Sequence, residues 1–187
     1  MQKKKFILII LVLVLVLAGG ASLYNLLGSG NAPETSVTDE QGNAEGTEVS
    51  RAPDFVVYDQ EGNALTLSDL NGKPAVLNFW ASWCGPCKSE MAGFNEKYLE
   101  LGDEVQFVMI NLTDGSRETQ HTAMEFINGE GYEFPVYFDL DMTASNNYQA
   151  YSIPMTYFVD AAGNAVAQAT GAIDAETLQK GIDMIME

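Results

Sequence analysis

Asn78-Phe79-Trp80-Ala81-Ser82-Trp83-Cys84-Gly85-Pro86-Cys87-Lys88 holds the only two cysteines of the chain, two residues apart, directly after a short apolar run. That run, Ala75-Val76-Leu77-Asn78-Phe79-Trp80, fits a strand buried on both faces of a parallel sheet. Beyond Pro86, Met91, Phe94, Tyr98 and Leu101 recur every three or four residues, which predicts a helix to about Leu101. The cysteines therefore stand where a strand hands over to a helix. At a helix N-terminus, unpaired backbone N–H groups and the positive end of the dipole stabilise a thiolate and bring its pKa below the free value of about 8.5. Cys84 is the expected nucleophile. Cys87, one turn further in, is expected to attack the mixed disulfide and release reduced substrate.

Two other uses of such a pair stay open at this point. A zinc site would have to recruit His121 and a carboxylate, because no second Cys-x-x-Cys is present. A purely structural bridge would close a very small loop and constrain the unfolded chain little.

Working outward, Phe55-Val56-Val57-Tyr58 and Ala64-Leu65-Thr66-Leu67 flank the turn residues Gln60-Glu61-Gly62-Asn63 and read as a hairpin. Downstream, residues 105–112 read as a strand, 117–128 as a helix, 135–138 as a short strand and 142–148 as a helix. Residues 155–159 and 165–170, joined by Asp160-Ala161-Ala162-Gly163-Asn164, form a second hairpin. Asp174 can cap a last amphipathic helix carrying Leu178, Ile182 and Ile185. Strands alternate with helices, which implies α/β layering around one core.

The stretch from Asn78 to Lys88 resembles the active-site strand and helix of thioredoxins. Ala52-Pro53-Asp54-Phe55, the extra elements before Phe134-Pro135-Val136, and Ser152-Ile153-Pro154-Met155-Thr156 resemble the TlpA/ResA-like subgroup, over about residues 53–187. The resemblance implies a thioredoxin-like fold with an N-terminal β-hairpin and a central strand-helix insertion. It also implies a membrane-anchored disulfide reductase outside the cytoplasm. Its implied partners are a CcdA-like membrane electron donor and oxidised extracytoplasmic client proteins, apocytochrome c among them. No cofactor and no metal are implied, because the thiols carry the electrons.

The resemblance also assigns roles to single residues. Pro154 matches the family's cis-proline opposite the cysteines, with Ile153 as the peptide-binding position, although an ordinary X-Pro bond is trans. Gly85 and Pro86, between the cysteines, resemble reducing thioredoxins. Glu90, one turn beyond Cys87, matches a glutamate kept by ResA-like proteins and can trade protons with that thiol; a bare helix would carry a solvated carboxylate there. Asn78 stands where cytoplasmic thioredoxins have a buried aspartate, which leaves Glu90 as the substitute proton acceptor or Asn78 as a partner for backbone groups. Trp83 is expected to flank Cys84 at the surface as part of a substrate platform, and Trp80 to pack inside. His121 reads as solvent-facing, and the glycosylation pattern beginning at Asn111 reads as a strand-end coincidence.

Ahead of the domain, residues 6–18 form an unbroken apolar run after Lys3-Lys4-Lys5, and no charged residue appears until Glu34. A helix over 6–27 would span about 33 Å, enough for a bilayer core. Residues 1–27 are thus expected to be a transmembrane signal-anchor or a cleaved signal peptide, and either one sends the rest of the chain outward. Lipid attachment through a cysteine is excluded, since none lies near this segment. Residues 28–52, rich in Gly, Ser, Thr, Asn and Glu, read as a flexible acidic tether with a span of roughly 25–30 Å. Residues 53–187 remain for the domain.

The chain carries 26 acidic against nine basic residues, a formal net charge of -17, which argues against nucleic acid as a partner. Two competing functions are a thiol peroxidase, suggested by Pro53-Asp54-Phe55 but opposed by the cysteine spacing, and a non-catalytic binding module or metal chaperone. Whether the pair donates or accepts electrons depends on how far the reduced thiolate is stabilised, which sequence leaves open.

Overall fold

Asn78 sits at the middle of β4 (Ala75–Trp80), the strand around which the sheet is built. The computed structural model describes residues 50–187 apart from residue 71. The expected membrane-directed segment and all but the last residues of the expected tether lie outside the described residues. Among the described residues, no helix is long and apolar enough to cross a membrane.

The strands are β1 (Ser50–Arg51), β2 (Val56–Tyr58), β3 (Ala64–Thr66), β4, β5 (Gln106–Asn111), β6 (Val136–Phe138), β7 (Met155–Val159) and β8 (Asn164–Thr170). The helices are α1 (Gly85–Leu101), α2 (Gln120–Glu130), α3 (Thr143–Asn147) and α4 (Ala175–Met186), with a 3-10 turn at Leu67–Leu70. One eight-stranded sheet runs β1-β8-β7-β4-β5-β6-β2-β3. β4, β5 and β6 are parallel, whereas β7 lies antiparallel to β4 and β8 antiparallel to β7. This is the expected thioredoxin-like α/β sheet. The β2–β3 hairpin joins it through one pairing, Tyr58 with Phe138 on β6, so the inserted α2–β6 unit is what carries the hairpin.

Alternation along β4 builds both layers, because successive side chains point to opposite faces. Val76 and Trp80 face a core shared with Met91 and Phe94 of α1, Ile127 of α2, and Leu178 and Ile182 of α4. Leu77 and Phe79 face a second core with Phe55, Val57, Leu67, Ala144 and Tyr148. Gly181 of α4 crosses Phe158 of β7 so closely that a Cβ there would clash with the edge carbons of the phenyl ring.

The structure departs from the expected boundaries in identifiable ways. Ser50–Arg51, read as the end of the tether, pairs with Ala165 and Asn164 of β8. The helix expected from residue 117 begins at Gln120. Asp114 Oδ1 accepts the backbone N–H groups of Ser116, Arg117 and Glu118, which winds those residues into a turn instead. Thr119 then caps α2 in a reciprocal capping box with Thr122. Leu67, read as strand, opens the 3-10 turn, where Asp69 Oδ2 accepts the Thr66 N–H.

Candidate active site

Cys84 is the N-cap of α1, with extended backbone angles of φ -82° and ψ 108°, and its Sγ accepts the Cys87 N–H at 3.2 Å. Pro86 falls in the first turn, where its missing N–H costs no hydrogen bond. Cys84 and Cys87 are joined in a disulfide with an S–S distance of 2.04 Å. Cys84 is 5% exposed and Cys87 not at all, so an incoming sulfur reaches Cys84 first.

Opposite the pair, the Ile153 carbonyl oxygen lies 3.7 Å from Cys84 Sγ, and the Ile153–Pro154 bond is cis. The segment ahead of β7 thus brings its backbone against the reactive sulfur, as expected for Ile153 and Pro154. Trp83 stands 40% exposed beside Cys84 with the Arg117 guanidinium 3.7 Å from its ring centroid. Trp80 is fully buried and packs on Phe126.

Glu90 is buried in the second turn of α1, and both carboxylate oxygens are engaged. Oε1 accepts Asn78 Nδ2 at 2.9 Å, and Oε2 accepts the Ile173 N–H at 2.9 Å. Burial pushes its carboxyl above the ordinary range, against the opposing pull of those two donors. Asn78 also donates to Thr156 Oγ1 at 3.0 Å, a contact set by the register that pairs these two residues across β4 and β7. Asn78 is therefore a link between Glu90 and β7, the strand that follows Pro154.

A second buried carboxylate, Glu118, was not among the expected site residues. It is fully buried and accepts the Ser82 N–H at 2.8 Å, Ser82 Oγ at 2.7 Å and Asn111 Nδ2 at 2.7 Å. Nothing in the local sequence marks it, since it lies in a polar loop 34 residues beyond Cys84. Asn111 is buried and committed to Glu118, and His121 is exposed on α2. Among the described residues, no group of three His, Cys, Asp or Glu side chains could hold a metal ion.

A sulfur just reachable from solvent at a helix N-terminus, a second sulfur sealed beneath it and a buried carboxylate one turn further along together suit reversible dithiol–disulfide chemistry. Comparison with known proteins agrees. The AhpC/TSA family matches residues 49–168. The chain is 31% identical to the thiol-disulfide oxidoreductase ResA of Bacillus subtilis over 188 residues, covering 99% of this chain and 96% of that protein. The dsbF structure from MTB, solved in mixed oxidised and reduced forms, superposes with a TM-score of 0.63 at 27% identity, covering 70% of this chain and 94% of that one. The exposed lipoprotein thioredoxin Etrx1 of Streptococcus pneumoniae superposes with a TM-score of 0.60 at 27% identity, covering 70% and 98%.

Proposed function

The chain belongs to the AhpC/TSA family and to the ResA-like thiol-disulfide oxidoreductases, and from that premise we propose that it reduces disulfides of oxidised proteins outside the cytoplasm. The observation that carries this reading is the unequal pair at the start of α1, with Cys84 at the N-cap and 5% exposed and Cys87 sealed beneath it. In the reduced enzyme the Cys84 thiolate attacks one client sulfur and expels the other as a thiolate, leaving a Cys84–client disulfide. Cys87 gives up its proton and attacks Cys84 Sγ, which releases the second client sulfur and leaves the enzyme disulfide. Two electrons have passed to the client. Glu90, one turn from Cys87, is the proposed acceptor of the Cys87 proton, and Trp83, Ile153 and Pro154 hold the client segment against Cys84.

The proposed direction weighs two opposed electrostatic effects, the helix N-terminus that stabilises the Cys84 thiolate and the carboxylate near Cys87. Stabilising the reduced thiolate makes a dithiol pair an oxidant. A buried carboxylate close to Cys87 does the reverse, because it disfavours a second negative charge. On the weight of the second effect we propose the pair as a donor of electrons, recharged by a membrane dithiol protein of the CcdA-like kind. Apocytochrome c is a proposed client. The apolar segment at residues 6–27 is the proposed single-pass anchor; an extracytoplasmic site is supported by the similarity to an exposed lipoprotein thioredoxin of Streptococcus pneumoniae.

Cys87→Ser in the full-length chain tests the sequence of steps. The variant is expected to accumulate a covalent adduct between Cys84 and a disulfide-bearing protein, stable to gel electrophoresis without reductant, whereas Cys84→Ser forms none and reduces nothing. Fast consumption of hydrogen peroxide by wild type under steady reductant, with no such adduct, would instead support the peroxidase reading.

A further inference from the structure

Ser82 and Trp83 make the turn that delivers Cys84 from the end of β4 to the start of α1, with the Cys84 N–H bonded to the Ala81 carbonyl at 3.1 Å. Neither residue is held by its own element. Both are held by the loop after β5. Glu118 takes the backbone N–H and the hydroxyl of Ser82, while its neighbour Arg117 lays its guanidinium on the Trp83 ring. The loop is braced in turn, for Asp114 Oδ1 collects three consecutive N–H groups and Thr113 Oγ1 donates to Asn111 Oδ1, whose amide nitrogen reaches Glu118.

A fully buried carboxylate with no compensating cation is costly to maintain. The ion pairs among the described residues, Lys97–Glu100 and Lys180–Glu176, lie elsewhere. Three short hydrogen bonds and the adjacent positive end of α2 offset that cost. The geometry points to Glu118 as a positioning residue: by fixing the peptide two residues before the nucleophile, it presets where the Cys84 sulfur and the Trp83–Arg117 face meet a client. The inference rests on the thiol-disulfide reading of Cys84, and small displacements of a reacting group are enough to lower rates by up to about 100-fold.

The conservative variant is informative because of how the bonds divide. Glu118 Oε1 accepts both Ser82 N–H and Asn111 Nδ2, whereas Oε2 meets only the Ser82 hydroxyl, which can accept as well as donate. Glu118→Gln therefore preserves all three contacts without the charge, and Glu118→Ala preserves none. In the full-length chain, Glu118→Gln is expected to keep disulfide exchange within about twofold of wild type. Glu118→Ala is expected to lose about tenfold or more in kcat/KM, to shift the pH profile of Cys84 alkylation, and to lose amide-exchange protection at Ser82. Should Glu118→Ala fail to fold, Ser82→Ala and Arg117→Ala, each removing one arm of the clasp, are read by the same kinetics and alkylation profile. Unchanged exchange and alkylation in the variants that fold would overturn the inference, and so would a loss in Glu118→Gln as large as in Glu118→Ala, since charge and not placement would then be at work. Ser82 protection and Cys84 alkylation do not require a client, so they decide the inference even if wild type proves not to reduce protein disulfides.

Discussion

Glu90 is a carboxylate placed where ionisation is expensive, and that cost gives it a pH signature. Because burial raises its pKa, the folded chain holds this proton to higher pH than the unfolded chain does. The associated stabilisation is complete below the ordinary carboxylate range, near pH 4, and is lost as pH rises through the raised value. Glu90→Gln removes that loss. The variant amide can accept the Ile173 N–H and donate to Asn78 Oδ1, a buried oxygen with no partner in the wild-type arrangement, once Asn78 turns its own amide over. Its melting temperature is therefore expected to exceed that of wild type at pH 8, with the gap closing toward pH 4; the reverse trend in thermal unfolding would show the carboxylate to be net stabilising. Catalysis moves the other way. With no group to take the Cys87 proton, resolution of the mixed disulfide at neutral pH is expected to slow by about tenfold or more, and its rise with pH through the Glu90 titration to disappear. Stopped-flow measurement of client release across pH 5–9 checks both points.

At the scale of elements, α4 shows how closely a helix can settle on the sheet when one position lacks a side chain. Gly181→Ala gains about 1 kcal/mol of helix propensity but drives a methyl into Phe158, and overpacking of this kind costs about 1–3 kcal/mol. A net loss of stability is expected in denaturant titration, and a gain would show that α4 can lift off β7 freely. The elements themselves were legible where the signal is local: the apolar run of β4, the three-and-four spacing of α1, and Asp174, which does accept the Thr177 N–H at the start of α4. What escaped was decided at a distance or by side-chain competition. Asp114 captured three N–H groups that a helix from residue 117 would have used, and Ser50–Arg51 became a strand only because the β8 edge was there to receive it. Gly181 falls on the apolar face by its spacing from Leu178 and Ile185, but that Phe158 presses against it is set by the fold.

Across the whole molecule, the site is assembled from segments far apart in the chain: the β4–α1 junction, the loop after β5, the turn into β7 and the residues entering α4. Residues with a motif around them, Trp83, Cys84, Cys87, Glu90, Ile153 and Pro154, could be named in advance because the resemblance covers them one by one. Asn78 was placed in advance too, yet its bridging between Glu90 and Thr156 depends on the pairing of β4 with β7. Glu118 and Arg117 reach Ser82 and Trp83, ahead of the nucleophile, only through the fold, so a pattern confined to the cysteine segment has no way of including them. The fold thus brings a nearly buried sulfur together with two buried carboxylates, Glu90 proposed as the proton acceptor and Glu118 proposed to hold the turn before Cys84. The central claim is that this arrangement donates electrons, and the redox equilibrium of the Cys84–Cys87 pair in the full-length chain, followed by thiol trapping in glutathione and dithiothreitol buffers, tests it most directly. The expected potential lies near the roughly -270 mV of thioredoxin; a value near the roughly -120 mV of strong oxidants would reverse the electron flow, and the absence of any reversible pair would contradict the account outright.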